Sequence, residues 1–107
     1  DDHGNTIATA TGMTVPGSKT GVISTGTDLD YFTFTLTAAK TVTIRTTSGF
    51  DTYGTLYTST GSLITEADDT GGDLNFTITR TLAAGTYAVA VEGYSSSDTG
   101  AFTLSVQ

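Results

Sequence analysis

The segment Asp28-Leu29-Asp30-Tyr31-Phe32-Thr33-Phe34-Thr35-Leu36-Thr37 decides the fold. Phe32, Phe34 and Leu36 recur at every second position, with Tyr31, Thr33, Thr35 and Thr37 between them. Side chains of a strand point alternately to opposite faces, so this period makes one face apolar and the other wet. The same alternation returns four times along the chain. Val42 and Ile44 alternate with Thr41, Thr43 and Arg45, and Phe76 and Ile78 with Asn75, Thr77 and Thr79. Tyr87, Val89 and Val91 alternate with Ala88, Ala90 and Glu92; Phe102, Leu104 and Val106 alternate with Thr103 and Ser105. Shorter strands are expected at Gly21–Thr25, Tyr53–Thr58 and Ser62–Ala67, with Met13–Val15 as a candidate ninth.

Turn signals separate these runs: Pro16-Gly17, Ser48-Gly49, Thr60-Gly61-Ser62, Thr70-Gly71-Gly72, Ala84-Gly85 and Ser95–Gly100. Nowhere do apolar residues keep a helical period for three turns. Short strands with one apolar face and frequent turns predict an all-β fold, an antiparallel jelly-roll-like β-sandwich of about eight or nine strands. Its expected core is Phe32, Phe34, Leu36, Val42, Ile44, Leu56, Phe76, Ile78, Tyr87, Val89, Val91, Phe102, Leu104 and Val106. Tyr87, just after the Ala84-Gly85 turn, resembles the tyrosine corner of Greek-key sandwiches and reads as structural. The 107 residues form one domain, with residues 1–10 an irregular lead-in.

Composition narrows the function. Four Lys+Arg stand against eleven Asp+Glu, a net charge of −7. Phosphate recognition needs clustered cations, so neither nucleic acid nor an anionic membrane is an expected partner. No apolar run reaches the length of a transmembrane helix. Cysteine is absent, which excludes disulfides and thiol chemistry. The 26 Thr and nine Ser, with few Lys, suit an extracellular bacterial protein. The chain opens on Asp1-Asp2-His3 and reads as a monomeric segment of a longer secreted precursor. His3 is the sole histidine and lies in a polar stretch, so a Ser-His-Asp triad is not expected. HExxH, Walker A and GxGxxG are missing, and catalysis is not expected.

The acidic residues are the informative ones. Nine of the eleven are Asp, mostly at turns: Asp1 and Asp2 with Asn5, Asp28 with Asp30, Asp51, and Asp68, Asp69 and Asp73 in one Gly-rich stretch. Calcium takes six to eight oxygens in loose geometry, which short carboxylates on turns supply. For any one Asp, capping a turn is the simpler reading. Neither an EF-hand loop nor a repeated nonapeptide is present.

In order along the chain, Asp28-Leu-Asp30-Tyr31-Phe32-Thr-Phe34, Asp51-Thr-Tyr-Gly-Thr-Leu56-Tyr57, Gly61-Ser-Leu63, Asp68-Asp69, Leu82-Ala-Ala-Gly85-Thr-Tyr87-Ala-Val89 and Gly100-Ala-Phe102-Thr-Leu104 resemble the bacterial pre-peptidase C-terminal (PPC) domain. The resemblance covers residues 28–107 and implies a jelly-roll accessory domain beside the catalytic domain of a secreted hydrolase. Related collagenase domains bind collagen, and bind calcium through an acidic lead-in and strand-start Asp residues. Carried over by position, that implies Ca²⁺ held by Asp1 or Asp2, Asn5, Asp28 and Asp30. Asp51, Asp68, Asp69 and Asp73 are candidates for a second site. Where the collagen-binding relatives crowd aromatic residues on the strand matching Ala88–Tyr94, this chain has Ala88, Ala90 and Glu92, leaving only Tyr94, which argues against collagen.

Two functions compete. In the first, exposed Tyr53, Tyr57 and Tyr94 hold an insoluble polymer, a polysaccharide or a collagen-like protein, because flat aromatic surfaces stack on such chains. Against it stands the expectation that Tyr53 or Tyr57 belongs to the core. In the second, the domain is a calcium-stiffened spacer or removable extension without a ligand. A third reading, a flat array of T-x-T pairs (Thr33/Thr35, Thr41/Thr43, Thr77/Thr79) as on ice-binding surfaces, carries little weight. A sheet with Thr on its wet face gives the same pattern.

Overall fold

A computed structural model describes residues 4, 6–25, 28–67, 75–94 and 97–107. Nine strands follow in chain order: β1 (Thr11–Gly12), β2 (Gly17–Ile23), β3 (Asp30–Leu36), β4 (Lys40–Ser48), β5 (Thr52–Thr58), β6 (Leu63–Ala67), β7 (Thr77–Leu82), β8 (Gly85–Gly93) and β9 (Gly100–Val106). They form two sheets, ordered β1-β3-β8-β5-β6 and β2-β9-β4-β7. The fold is the expected all-β sandwich. Every pairing is antiparallel except β1 with β3, which is parallel over two residues. Among the described residues the one helical element is a 3-10 turn, Ile7–Thr9, inside the lead-in.

Two boundaries depart from expectation. The strand expected at Gly21–Thr25 begins four residues earlier, because Gly17–Val106 and Ser18–Ser105 pairing extends β2 down the whole length of β9. The candidate ninth strand lies at Thr11–Gly12 rather than Met13–Val15. Met13 instead donates one backbone hydrogen bond to the Thr33 carbonyl (2.8 Å), and its side chain and that of Val15 pack on the core margin.

The core lies between the sheets and follows the alternation. Phe32, Val42, Ile44, Leu56, Phe76, Val89, Val91, Leu104 and Val106 are fully buried. Phe32 of one sheet meets Phe102 of the other edge-to-face, with centroids 6.1 Å apart. Tyr87 is only partly buried and packs on the core margin against Phe34, because its hydroxyl must reach out to donate to the Ala83 carbonyl (2.8 Å). That bond makes it the expected corner. Ile23, Phe50 and Leu82 join the core unforeseen. So does a polar pair, Thr46 and Thr52, whose hydroxyls bond at 2.7 Å between β4 and β5 and so link the two sheets.

Gly54 sits on the inner face, where any Cβ would run into the Phe76 ring. Overfilling a packed core costs about 1–3 kcal/mol. Gly54→Ala is therefore expected to lower Tm by about 4–8 °C for each kcal/mol lost. Tyr87→Phe, which deletes one partly exposed hydrogen bond, should cost about 1 kcal/mol. Thermal denaturation of both variants checks the ranking.

Candidate functional site: an acidic strand entrance and a tyrosine face

The topology gathers the acidic turns. β3 and β5 begin, and β8 ends, at one end of the five-stranded sheet, as the pairs Asp30–Val91 and Thr52–Gly93 require. β2 and β4 end and β9 begins there too, as Ile23–Gly100 and Ser48–Phe102 require. Asp28, Asp30, Asp51 and Asp98 consequently share that end. β6 finishes there at Ala67 as well. Of the expected metal ligands, Asp1, Asp2, Asn5, Asp68, Asp69 and Asp73 lie outside the described residues.

Asp28 and Asp30 differ in role. Asp28 precedes β3, in a turn closed by its own N–H to the Thr25 carbonyl (3.1 Å). Its Oδ2 accepts from the Ser24 N–H (3.0 Å) and hydroxyl (3.3 Å), which is a turn cap. Its Oδ1 is equally buried and accepts no hydrogen bond from the described residues. Asp30 opens β3 at an inward position and is fully buried. Its carboxylate lies between the sheets under Gly21, where a Cβ would come within 2.9 Å of Oδ2. The Tyr31 N–H donates to the Gly4 carbonyl (3.0 Å), so the lead-in runs beside this strand start. Burying a carboxylate is costly unless it is paired or ligated. A cation fits this donor set. The described residues alone do not complete it, since no three His, Cys, Asp or Glu side chains among them come together. Asp51 is half-buried before β5, and its carbonyl accepts from the Tyr94 N–H (3.0 Å).

The second feature is the outer face of the five-stranded sheet. Gly54 and Leu56 turn inward, so Tyr53, Thr55 and Tyr57 face out together. Neither tyrosine belongs to the core, contrary to expectation: four residues apart, they share one parity, and the core parity is taken by Thr52, Gly54 and Leu56. Tyr31 of β3 joins them, although the alternation only places it on the wet face and gives it no role. Its ring stacks on Tyr57, with centroids 6.1 Å apart and planes at 21°. β8 runs between their strands, and they meet because Ala90, opposite Tyr31, and Ala88, opposite Tyr57, are too small to part them. The rings in turn bury both alanines. Tyr94 is 58% exposed and tilts against Tyr53 at 6.3 Å. Leu63, 59% exposed, pairs with Tyr57 beyond a bulge in β6.

The family profile described as "Bacterial pre-peptidase C-terminal domain" matches residues 28–93, well over half of the chain. This chain belongs to the PPC domain family. Among solved structures, the PPC domain of Bacillus anthracis collagenase superposes with a TM-score of 0.77 at 20% identity, covering 92% of this chain and 94% of that one. Two periplasmic inhibitors of g-type lysozyme share the fold more loosely. The Aeromonas hydrophila protein has a TM-score of 0.59 at 16% identity, covering 92% of this chain and 97% of that one. The Salmonella Typhimurium protein has a TM-score of 0.55 at 18% identity, covering 92% and 98%. No curated protein sequence matches the chain. At these identities the superpositions establish the fold of this PPC domain alone.

Charge on the tyrosine face of the PPC domain is uncompensated. Glu92 stands opposite Tyr53, half-buried. Burial first, and Glu66 second, hold its carboxyl above the ordinary glutamate value of 4.5. The Tyr31 hydroxyl is raised in the same way, by burial first, then by Tyr57, whose charge and hydrogen bond both contribute, and by Glu92. A proton held more tightly in the folded state favours the fold below pH 4.5, and that contribution fades as pH rises through the raised value. Glu92→Gln cannot ionise, so relative to the parent it should gain stability as pH climbs through that window. Urea denaturation of both chains between about pH 4 and pH 8 checks this; parallel curves would contradict it.

Proposed function

We propose that this PPC domain is a non-catalytic, calcium-binding accessory domain of a secreted bacterial hydrolase, and that it holds the enzyme on an insoluble polymer. The observation that carries the binding half is the tyrosine face. Two aromatic pairs, Tyr31/Tyr57 and Tyr53/Tyr94, occupy one side of one sheet, with Ala88 and Ala90 as a low floor beneath the first. Aromatic rings present much contact area for little conformational entropy, which suits a long, repetitive ligand. Membership of the PPC family supports a catalytic partner domain in the same precursor, and with it an extracellular setting.

The calcium half is supported by the buried Asp28 Oδ1 and the fully buried Asp30. Asp28 and Asp30 would hold the ion, with oxygens from the lead-in that Gly4 brings beside β3. Bound Ca²⁺ would neutralise buried carboxylates and fasten the lead-in to the sheet. The part of this PPC domain that does so is the strand entrance, not the tyrosine face.

Two experiments test the two halves separately. An ion that binds only the folded chain stabilises it by about 2.7 kcal/mol at a hundredfold excess over Kd. EDTA is therefore expected to lower Tm, and Asp30→Ala to abolish that sensitivity. Identical melting in EDTA and in millimolar Ca²⁺, with no heat of binding, would rule the ion out. Tyr94→Ala, at a 58% exposed position, should leave Tm nearly unchanged while weakening retention on insoluble polysaccharide or fibrous protein. Full retention in that variant, or no retention of the parent on any such polymer, would favour the spacer reading.

A further inference from the structure

The charges of this chain are sorted by sheet. All four cations, Lys19, Lys40, Arg45 and Arg80, lie on strands of the four-stranded sheet, and those strands contain no Asp or Glu. The strands of the five-stranded sheet contain Asp30, Glu66 and Glu92, and no Lys or Arg. Asp30 points inward, so the charge of the tyrosine face is that of Glu66 and Glu92.

Their placement is specific. Glu92 is paired across β8 and β5 with Tyr53. Glu66 is paired across β6 and β5 with Thr55, which puts it diagonal to both Tyr53 and Tyr57. The two carboxylates thus stand among the rings of both aromatic pairs, close enough to feel one another. A neutral sugar polymer can donate hydroxyls to the exposed Glu66 and the half-buried Glu92 but leaves their charge in place. A guanidinium or ammonium group gains twice: from the carboxylates by charge-assisted hydrogen bonds, and from the ring faces by cation–π attraction. The exposed Leu63 and Tyr94 flank the patch, where the methylene stems of arginine or lysine can lie.

Building on the reading of this face as a binding surface, we propose that its ligand is a cationic polypeptide segment, with Glu66 and Glu92 receiving its guanidinium or ammonium groups between the two tyrosine pairs. The ligand is thereby narrowed from any insoluble polymer to a basic protein strand. Its positive charge offsets the mutual repulsion of the two glutamates, and the tyrosines supply contact area.

The test uses the whole domain and a synthetic peptide of alternating Gly and Arg. Its control is the same peptide with citrulline, which keeps the shape of arginine and removes the charge. Calorimetry should show the arginine peptide binding about tenfold tighter or more, and the paired variant E66Q/E92Q losing that margin. The variant T20K/T79K makes the same change in net charge at exposed positions of the four-stranded sheet and should keep it. Thermal melting confirms that each variant folds. Equal affinity for the two peptides, or an equal loss in the two paired variants, overturns the proposal. Polymer retention that depends on Tyr94 but is untouched by E66Q/E92Q overturns the cationic assignment and leaves the tyrosine reading standing.

Discussion

Everything in this molecule depends on the parity of β8. It is the middle strand of the five-stranded sheet, and both of its faces carry information. Val89 and Val91 complete the core, while Ala88 and Ala90 leave a shallow lane outside. A slip of one residue would exchange the two sets. Alanines would then leave voids against Phe32 and Leu56, and valines would wedge Tyr31 from Tyr57. The Tyr87 hydroxyl, bonded to the Ala83 carbonyl, helps prevent the slip by fixing the crossover just before the strand. One register therefore sets the core packing and the aromatic surface together.

The period-two pattern made the fold legible. Large apolar residues two apart state which face is buried, and 12 of the 14 expected core residues are core strand residues whose parity the pattern alone specifies; Phe76 sits just before its strand, and Tyr87 at the margin. The misses have physical causes. Ile23 follows Val22, and two adjacent apolar residues do not say which one faces inward; Leu82 shares the parity of Ile78, but Arg80 interrupts the period between them. Thr46 and Thr52 satisfy each other across the core, and a lone threonine does not announce its partner. The extra length of β2 comes from pairing with β9, which is tertiary and leaves no local trace in Gly17-Ser18-Lys19-Thr20.

The site was legible in part. Asp28 and Asp30 stood out by spacing, and both are buried at one strand entrance. The division of labour within Asp28, one oxygen capping a turn and one left over, is beyond what spacing can say. Tyr53 and Tyr94, far apart in the sequence, are neighbours in the fold. Tyr31 is not legible as a site residue, because its partner lies two strands away, across residues whose smallness matters more than their chemistry. The alanines that seemed to strip β8 of binding residues are what bring the aromatic rings together.

The four outer strands raise a different matter. An unpaired strand edge invites another chain to extend the sheet, and proteins suppress this with short strands, bulges and charges at inward positions. β1 is two residues long, and β6 carries a bulge where it passes Leu56 and Tyr57. On the other sheet, Lys19 of β2 is registered with core Leu104, and Arg80 of β7 with core Val42. Both cations are exposed at positions whose parity is that of the core. A strand docking there would have to bury a charge at the rim. Half of the cations in a threonine-rich, β-prone chain thus guard it against amyloid-like growth, and replacing either with threonine would remove a gatekeeper while hardly altering the fold itself.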